Sequence, residues 1–390
     1  MRKALVFAAL ALFAAQGLAL EPKQAELEHN GWFRYTNQST SFGITNPDVS
    51  RFALERGYIR LSYQWSSQFF TKFTLDFFSS DKYAEGSTVR LKEGYADLAL
   101  PLKDFNLTAG LQKHYFGLIY SWDYTHPDKS LADIQGIAAS ADYGLTVNGF
   151  LPGGLGELQL GLYNGEGYKY AGKYVNKSPE LLANLRLTPF AGVMAGVSVF
   201  RNAEDHVAYK NDVAAGKLST DRKKWLLPDT VNKGRMGLAP VVKFAFGPVS
   251  LTGEYIIYNY TREFGYYTAD STTGKIVDST RLVSEKRYAQ SGLDLIPLVS
   301  LAKRKFDVYA RITTWERKED GTRNDAKSSL SYGGGFNYHF IRREKGKPGL
   351  ALQVAWTRNQ TKAEGAKPTD TFIAQFRFEW AQIVPEFIAQ

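Results

Sequence analysis

Five histidines are the first residues of this chain to weigh for chemistry: His29, His114, His126, His206 and His339. None stands in a His-x-x-x-His spacing, which would turn two imidazoles toward one metal ion, and there is no cysteine. Asp205-His206 and His126-x-Asp128 set a carboxylate beside an imidazole. No nucleophile motif accompanies either pair, and an acid–base pair alone has no covalent step to run. No enzymatic activity, cofactor or metal is expected. Gly333-Gly334-Gly335 follows no phosphate-loop pattern and falls mid-strand, where glycine relieves crowding or bends a sheet.

A second set of residues repeats along the chain. Basic side chains at Arg56, Arg60, Lys72, Arg186, Lys243, Lys286, Lys305, Arg311 and Arg377 alternate with apolar neighbours, and so do acids at Asp76, Glu93, Asp97, Asp142, Glu157, Glu180, Glu254, Asp294, Asp307 and Glu379. In Gly57-Tyr58-Ile59-Arg60-Leu61-Ser62-Tyr63-Gln64-Trp65, Ile59, Leu61, Tyr63 and Trp65 share one face and Arg60, Ser62 and Gln64 the other, because successive strand side chains point to opposite sides. Phe306, Val308, Ala310 and Ile312 do the same against Asp307 and Arg311, and Tyr332, Gly334, Phe336, Tyr338 and Phe340 against Asn337 and His339. One face is fully charged and the other apolar with aromatic ends, as at Trp65, Phe105, Phe246, Trp356 and Trp380. That is the pattern of an all-β, closed antiparallel transmembrane barrel with a polar interior. Lipid supplies no hydrogen bonds, so such a sheet has to close on itself.

The rest of the chain must position these faces. Arg2-Lys3, the apolar run Ala4–Ala15 and Gly17-Leu18-Ala19 read as a signal peptide over residues 1–19, leaving 20–390 as the barrel. After residue 20 no apolar run reaches the ~20 residues of a membrane helix. With 23 Tyr, 25 Phe and 35 Gly, the composition favours strands and tight turns. Strands are expected at about 27–36, 52–65, 68–79, 90–100, 105–114, 141–150, 156–164, 180–188, 191–201, 235–246, 249–261, 282–295, 304–316, 328–341, 350–360 and 370–380. Short turns, including Thr188-Pro189, Gly247-Pro248 and Ile296-Pro297, alternate with long polar loops, among them 115–140, 165–179, 202–233 and 262–281. Sixteen strands with short turns at one end and long loops at the other satisfy the bacterial barrel rules.

Leu107–Lys113, the long third loop, Asp142–Gly149, Pro152-Gly-Gly and Leu160–Gly165, preceded by Lys92–Asp97, resemble the phosphate-selective porin family (porins O and P). The resemblance covers about residues 50–190; beyond that only the rhythm is similar. It implies sixteen strands, a trimer, a third loop folded inward, and an anion preference from basic residues in the pore. One departure is the C-terminus, where Ala381 to Gln390 follow Trp380 in place of a terminal aromatic.

The expected function is a water-filled channel in the outer membrane of a Gram-negative-type bacterium, passing small polar solutes and leaning toward anions such as phosphate. The third loop, 115–140, is aromatic at Tyr115, Phe116, Tyr120, Trp122 and Tyr124 and then polar. Folded inward it would narrow the pore and bring Lys113 and Lys129 to the constriction, with Arg56, Arg60, Lys72, Arg186, Lys243, Arg311 and Arg377 on the wall. Wall salt bridges are the competing reading of each residue, and a loop packed over the mouth or against a neighbouring subunit is the competing reading of the loop. Expected partners are outer-membrane lipid, lipopolysaccharide (near Arg222-Lys223-Lys224), small polar or anionic solutes and a possible homotrimer, with no nucleic acid. The alternative is a non-conducting structural or adhesive barrel that acts through its outer loops.

Overall fold

The computed structural model describes residues 21–40, 48–79, 86–122, 126–169, 178–206, 217–218, 224–270, 272–273, 276–342 and 348–384, with backbone alone for the strand segments 203–206, 217–218, 224–231, 265–269 and 276–284 and for residue 384. The signal-peptide expectation, Tyr124 and Arg222-Lys223 lie outside the described residues, and Asp205 and His206 are placed by backbone only. Among the described residues no helix is long and apolar enough to cross a membrane.

Sixteen long strands form one sheet: β1 (Ala25–Ser39), β2 (Val49–Ser66), β3 (Phe69–Ser79), β4 (Ser87–Ala99), β5 (Phe105–Lys113), β6 (Ala141–Leu151), β7 (Gly156–Tyr163), β8 (Glu180–Phe190), β9 (Val193–His206), β10 (Lys224–Phe246), β11 (Val249–Asp270), β12 (Ile276–Leu301), β13 (Phe306–Glu319), β14 (Ser329–Ile341), β15 (Gly349–Thr361) and β16 (Thr369–Val384). Two-residue pieces at Lys217–Leu218 and Thr322–Arg323 pair only within their hairpins. Each strand is antiparallel to the next, and β1 pairs along its whole length with β16, from Ala25 opposite Val384 to Ser39 opposite Asp370. The sheet therefore closes and leaves no edge, as the sequence pattern predicts.

Alternation decides the two surfaces. Ile59, Leu61, Phe73, Leu145, Leu160, Leu181, Val197, Phe244, Val308, Ile312 and Phe376 are exposed outside. The alternating positions along the same strands face inward and are buried polar groups such as Thr74, Asp142, Thr146, Asn184, Ser198, Glu254, Asp294 and Gln353. This inverts a soluble protein, in which large apolar residues fill the core, and fits an exterior solvated by lipid chains.

Bulges in β2, β4 and β10 break the alternation and change what faces in; in β10 the extra residue at Gly234-Arg235 leaves both Asn232 and Arg235 buried inward. Glu55 is an extra residue opposite Trp32/Phe33, so Arg56 and Tyr58 face inward below it while Phe52 and Leu54 face outward above. Lys92 is extra opposite Thr74/Leu75, so Lys92 and Glu93, consecutive in sequence, both turn inward and are buried.

The structure corrects several turns and loops. β12 runs through Ile296-Pro297 to Leu301, so the hairpin turn falls at 302–305, with Ala302, Lys303 and Arg304 all at positive φ. The Pro297 position is tolerated because the β12–β13 ladder is interrupted at Ile296/Pro297. Lys305 is thus a turn residue lying over the Tyr338 ring, not a wall residue of β13. Likewise β8 passes Thr188-Pro189 and turns at Ala191-Gly192. The Gly247-Pro248 turn stands where expected; Gly247 sits at φ +59, the left-handed value that a hairpin turn of this kind demands. The loops at 202–233 and 262–281 are largely strand, since β10, β11 and β12 span 23, 22 and 26 residues. At ~3.3 Å per residue and a tilt of about 40°, 23 residues rise roughly 55 Å, far beyond an apolar band ~25 Å tall. These hairpins therefore stand above one side of the mouth.

Ala310 is exposed on the outer face, between Val308 and Ile312. Ala310→Arg should lower folding stability in lipid bilayers by about 2–4 kcal/mol, measured by reversible denaturant titration in vesicles. A change near zero would show that this face does not meet hydrocarbon.

Candidate functional site

The third loop lies inside the barrel. Residues 114–140 leave the top of β5 and return to β6, with the base closed by His114 N–H donating to Ser140 O (3.3 Å). Inside, the described part holds a short 3-10 turn, Ile119–Ser121, and one helical turn, Leu131–Ile134. Phe116, Ile119, Leu131, Ala132 and Ile137 bury their side chains against inward residues of β7–β13, including Tyr163, Phe200, Ala239, Ile256, Tyr258 and Trp315. Trp122 packs against two further interior groups, one of Ile296, Tyr309, Ala355 and Ile373, the other of Leu118, Met194 and Val241. An apolar core thus exists within the polar lumen, built between loop and wall.

The loop's backbone polar groups are met by the wall. Four arginines donate to loop carbonyls: Arg34 to Pro127 O (2.7 Å), Arg311 to Lys129 O (2.9 Å), Arg235 to Ile137 O (3.1 Å) and Arg186 to Gly117 O. Arg186 also donates to Ser121 Oγ (2.7 Å), and Arg235 reaches Gly165 O of the next loop (3.3 Å). Around Gly117 and Leu118 the wall forms a cradle. Gly117 N–H donates to Ser198 Oγ (3.0 Å), whose hydroxyl donates to Asn184 Oδ1 (2.6 Å), while Leu118 N–H donates to Glu254 Oε1 (2.6 Å). Gly117 has φ +55, and a Cβ there would overlap Glu254 Oε1, so glycine is required twice over.

The remaining candidates are placed as follows. Arg56 donates to Tyr58 Oη (2.6 Å) and lies 3.8 Å from Asp133 of the loop. Arg60 pairs with Glu28 (2.8 Å), Lys72 with Glu93 (3.6 Å), Arg186 with Glu157 (4.0 Å), and Arg377 with Glu379. Arg311 grips Asp294 with two bonds of 2.9 Å in a fork that only a planar guanidinium makes. Lys243 faces inward near the short-turn end, opposite Met194. Lys113, at the top of β5, exerts its charge on Glu93 and Asp97. His114 Nε2 and Glu180 Oε1 are 2.6 Å apart, and His339 pairs with Asp307 (2.8 Å). No group of His, Asp and Glu among the described residues is arranged to hold a metal.

One region is not balanced. Arg56, Arg90, Lys92, Lys129 and Lys169 converge near the top of β2–β4, from the wall and from the third and fourth loops, against Asp76 and Asp133. Lys92 donates to Tyr58 Oη (2.6 Å), and Tyr168 reaches Asp76 (3.5 Å). Partial desolvation of an otherwise exposed side chain, and then the cations Lys129, Arg56 and Arg90, lower the pKa of Lys169, against the opposing pull of Asp133. Burial pushes the Tyr168 phenol up to about 12. Of this group, alternation identified Arg56 and Asp76. Lys92 was hidden by its bulge, and Lys169 by its place in a loop.

No known family's sequence profile matches the chain, and no curated protein matches it. Solved structures do. OmpT of Vibrio cholerae, an outer membrane protein in its trimer form, aligns over 91% of this chain and 99% of its own at 10% identity and TM-score 0.52. The outer membrane channel DcaP of Acinetobacter baumannii aligns over 92% and 96% at 10% identity and TM-score 0.54. OmpF of Salmonella typhi, in complex with daunomycin, aligns over 91% and 97% at 12% identity and TM-score 0.54. At such identity the likeness is one of fold: the chain shares the barrel architecture of these proteins over nearly its whole length.

The cradle predicts a local effect. Glu254→Ala leaves a buried N–H unmet, worth about 1–3 kcal/mol, so hydrogen exchange at Leu118 and its neighbours should quicken by roughly ten- to a hundredfold. Exchange in β13 should not change. Equal protection at Leu118 in variant and parent would show that Glu254 does not hold the loop.

Proposed function

We propose that the chain is an outer-membrane porin, a passive and non-catalytic channel for small polar solutes with a preference for anions. It acts in the outer membrane of a Gram-negative-type bacterium after removal of its signal peptide. The observation that carries the reading is a charged inner wall that keeps part of its surface open beside an inward loop: the side chains of Arg56, Arg60, Glu28 and Lys72 are 14–19% exposed within the barrel. The third loop is the constriction; Lys129 lies on it, and Lys113 stands at its base on β5. The anion preference rests on the excess of cations around Lys169, because a lumen lined by more Lys and Arg than acid favours anions. Phosphate is a candidate solute on the strength of the sequence resemblance. A homotrimer is proposed by analogy with the trimer form of Vibrio OmpT, and the outward charges Lys318 and Glu316, beyond Ile312 on β13, would meet lipopolysaccharide.

The second reading, an insulating barrel acting through its loops, draws on the apolar packing of the third loop against the wall. Planar-bilayer recording separates the two. The channel reading expects stepwise conductance and, in a salt gradient, a reversal potential of anion-selective sign. Lys129→Gln with Lys169→Gln should move that potential toward cations. Because the Lys169 pKa is lowered, its charge is present below that depressed value and lost as pH rises through it. The anion preference should therefore weaken at a lower pH than an ordinary lysine would give, and Lys169→Gln should abolish that step. An insulating barrel would overturn the channel, and a cation-selective potential would overturn the preference.

A further inference from the structure

The turns at the short-turn end of the barrel do not share charge evenly. The first five, 67–68, 100–104, 152–155, 191–192 and 247–248, hold Lys103 and Asp104 as their only charged residues. The sixth, 302–305, carries Lys303, Arg304 and Lys305 in succession and no acid. The seventh opens with Arg342, and its sequence adds Arg343, Lys345 and Lys347 against Glu344, outside the described residues. These two turns are neighbours, since β13 and β14 pair directly with Phe306 opposite Tyr338. Arg342 Nη1 donates to Arg304 O (2.7 Å), and His339 N–H donates to Lys305 O (3.0 Å). Lys303, Arg304, Lys305 and Arg342 are all exposed. Asp307, the nearest carboxylate in sequence, faces the lumen instead, bonded to His339 (2.8 Å) and within the field of Arg342.

The sixth turn is also strained. Ala302, Lys303 and Arg304 take φ of 49°, 56° and 67°, a left-handed run that glycine adopts without cost. Gly247-Pro248 makes its reversal with glycine; the sixth turn keeps basic side chains there and carries the strain that goes with them.

The patch borders the lipid-facing wall. Lys305 Nζ lies 5.4 Å from the centroid of the Tyr338 ring. Tyr338 points outward, because Asn337 and His339 on either side of it bond to inward groups. Tyr338 meets Phe340 edge to face at 4.9 Å. A bulge between His339 and Ile341 leaves Phe340 and Ile341 both exposed, as is Leu301 on β12. An ammonium over an outward tyrosine, beside exposed apolar side chains, marks the boundary of hydrocarbon and water, where aromatic rings and long basic side chains gather. A soluble acidic partner would need the charges but not this apolar border, so the border favours a lipid.

We propose that the sixth and seventh short turns form a binding surface for anionic phospholipid of the periplasmic leaflet. Lys303, Arg304, Lys305 and Arg342 hold the phosphate, and the acyl chains lie along Leu301, Phe340 and Ile341. Guanidinium and ammonium groups make charge-assisted bonds to phosphate oxygens. Attraction of a basic cluster to anionic lipid grows with each cation and falls off within a Debye length. The proposal goes beyond the channel reading: it needs the barrel to stand in a membrane and makes no demand on the lumen.

The test is native mass spectrometry of the full chain in detergent, titrated with dioleoyl phosphatidylglycerol or with dioleoyl phosphatidylcholine, which differ in headgroup charge alone among their ionic properties. The expected result is tighter binding of phosphatidylglycerol, by roughly tenfold or more. Lys303→Asn/Arg304→Asn/Lys305→Gln should bring phosphatidylglycerol to the level of phosphatidylcholine and leave phosphatidylcholine unchanged; asparagine accepts the left-handed backbone at 303 and 304. Lys305→Gln alone, which leaves that run intact, is the second variant, and should weaken phosphatidylglycerol binding by about fivefold. Equal binding of the two lipids by the parent chain, or a preference that the substitutions leave unchanged, would overturn the proposal. Binding of a short polyglutamate peptide that the triple substitution abolishes, with phosphatidylglycerol binding unaffected, would overturn it too and assign the turns to an acidic polypeptide.

Discussion

The pairing of β1 with β16 is the constraint on which the rest of the structure depends. Fifteen consecutive register partners, Ala25 with Val384 through Ser39 with Asp370, join the first strand to the last. Closure satisfies the backbone without water, and this allows the outer face to be apolar. Strand geometry then forces the other half of the side chains into the interior. A closed sheet of sixteen strands encloses more space than wall side chains alone fill. The interior is consequently the place where the chain must manage charge, water and its own longest loop.

It manages charge chiefly by pairing. Arg311 with Asp294 and Arg60 with Glu28 show why a basic residue on the wall is not by itself a selectivity residue. A buried ion left without its partner is costly, whereas a well-bonded pair roughly offsets its desolvation. Several wall arginines serve the loop as much as the lumen: Arg34, Arg186, Arg235 and Arg311 each bind a carbonyl of residues 117–137. A loop inside a barrel would otherwise carry unmet backbone groups. The guanidinium, with five donors on a planar head, can hold a carboxylate and a carbonyl together. A further group of cations, Arg56, Arg90, Lys92, Lys129 and Lys169, gathers where the third and fourth loops meet β2–β4.

Much of this was legible in sequence, because period-two alternation is strict wherever one face meets lipid and the other does not. All sixteen strands and the inward side of Arg60, Lys72, Glu254 and Asp294 follow from it. The misplaced features have physical causes. A bulge adds one residue and reverses the parity beyond it, so Lys92 was missed although Glu93 was not. In the upper halves of β10–β12 apolar and polar residues do not alternate along the sequence, as in Trp225-Leu226-Leu227 and Tyr266-Tyr267, so these segments lack the period-two signal and read as loops. Pro297 looks like a turn residue, yet it sits where the β12–β13 ladder is interrupted. The cradle at Gly117 was invisible for another reason: Glu254 is 136 residues from Leu118, and nothing local marks that contact. Arg235 was overlooked because the bulge at Gly234 reverses the parity between Asn232 and Arg235, and Arg34 because its contacts to Pro127 of the loop and to Glu55, the extra residue of the β2 bulge, are not marked by alternation.

If the third loop, packed against the inner wall, is what narrows the channel, replacing residues 123–135 by a short Gly-Ser link should raise single-channel conductance several-fold over that of the parent chain at the same salt, with the barrel still resistant to protease. A shortened loop that leaves conductance unchanged or lower would contradict this, and would mean that the constriction lies elsewhere.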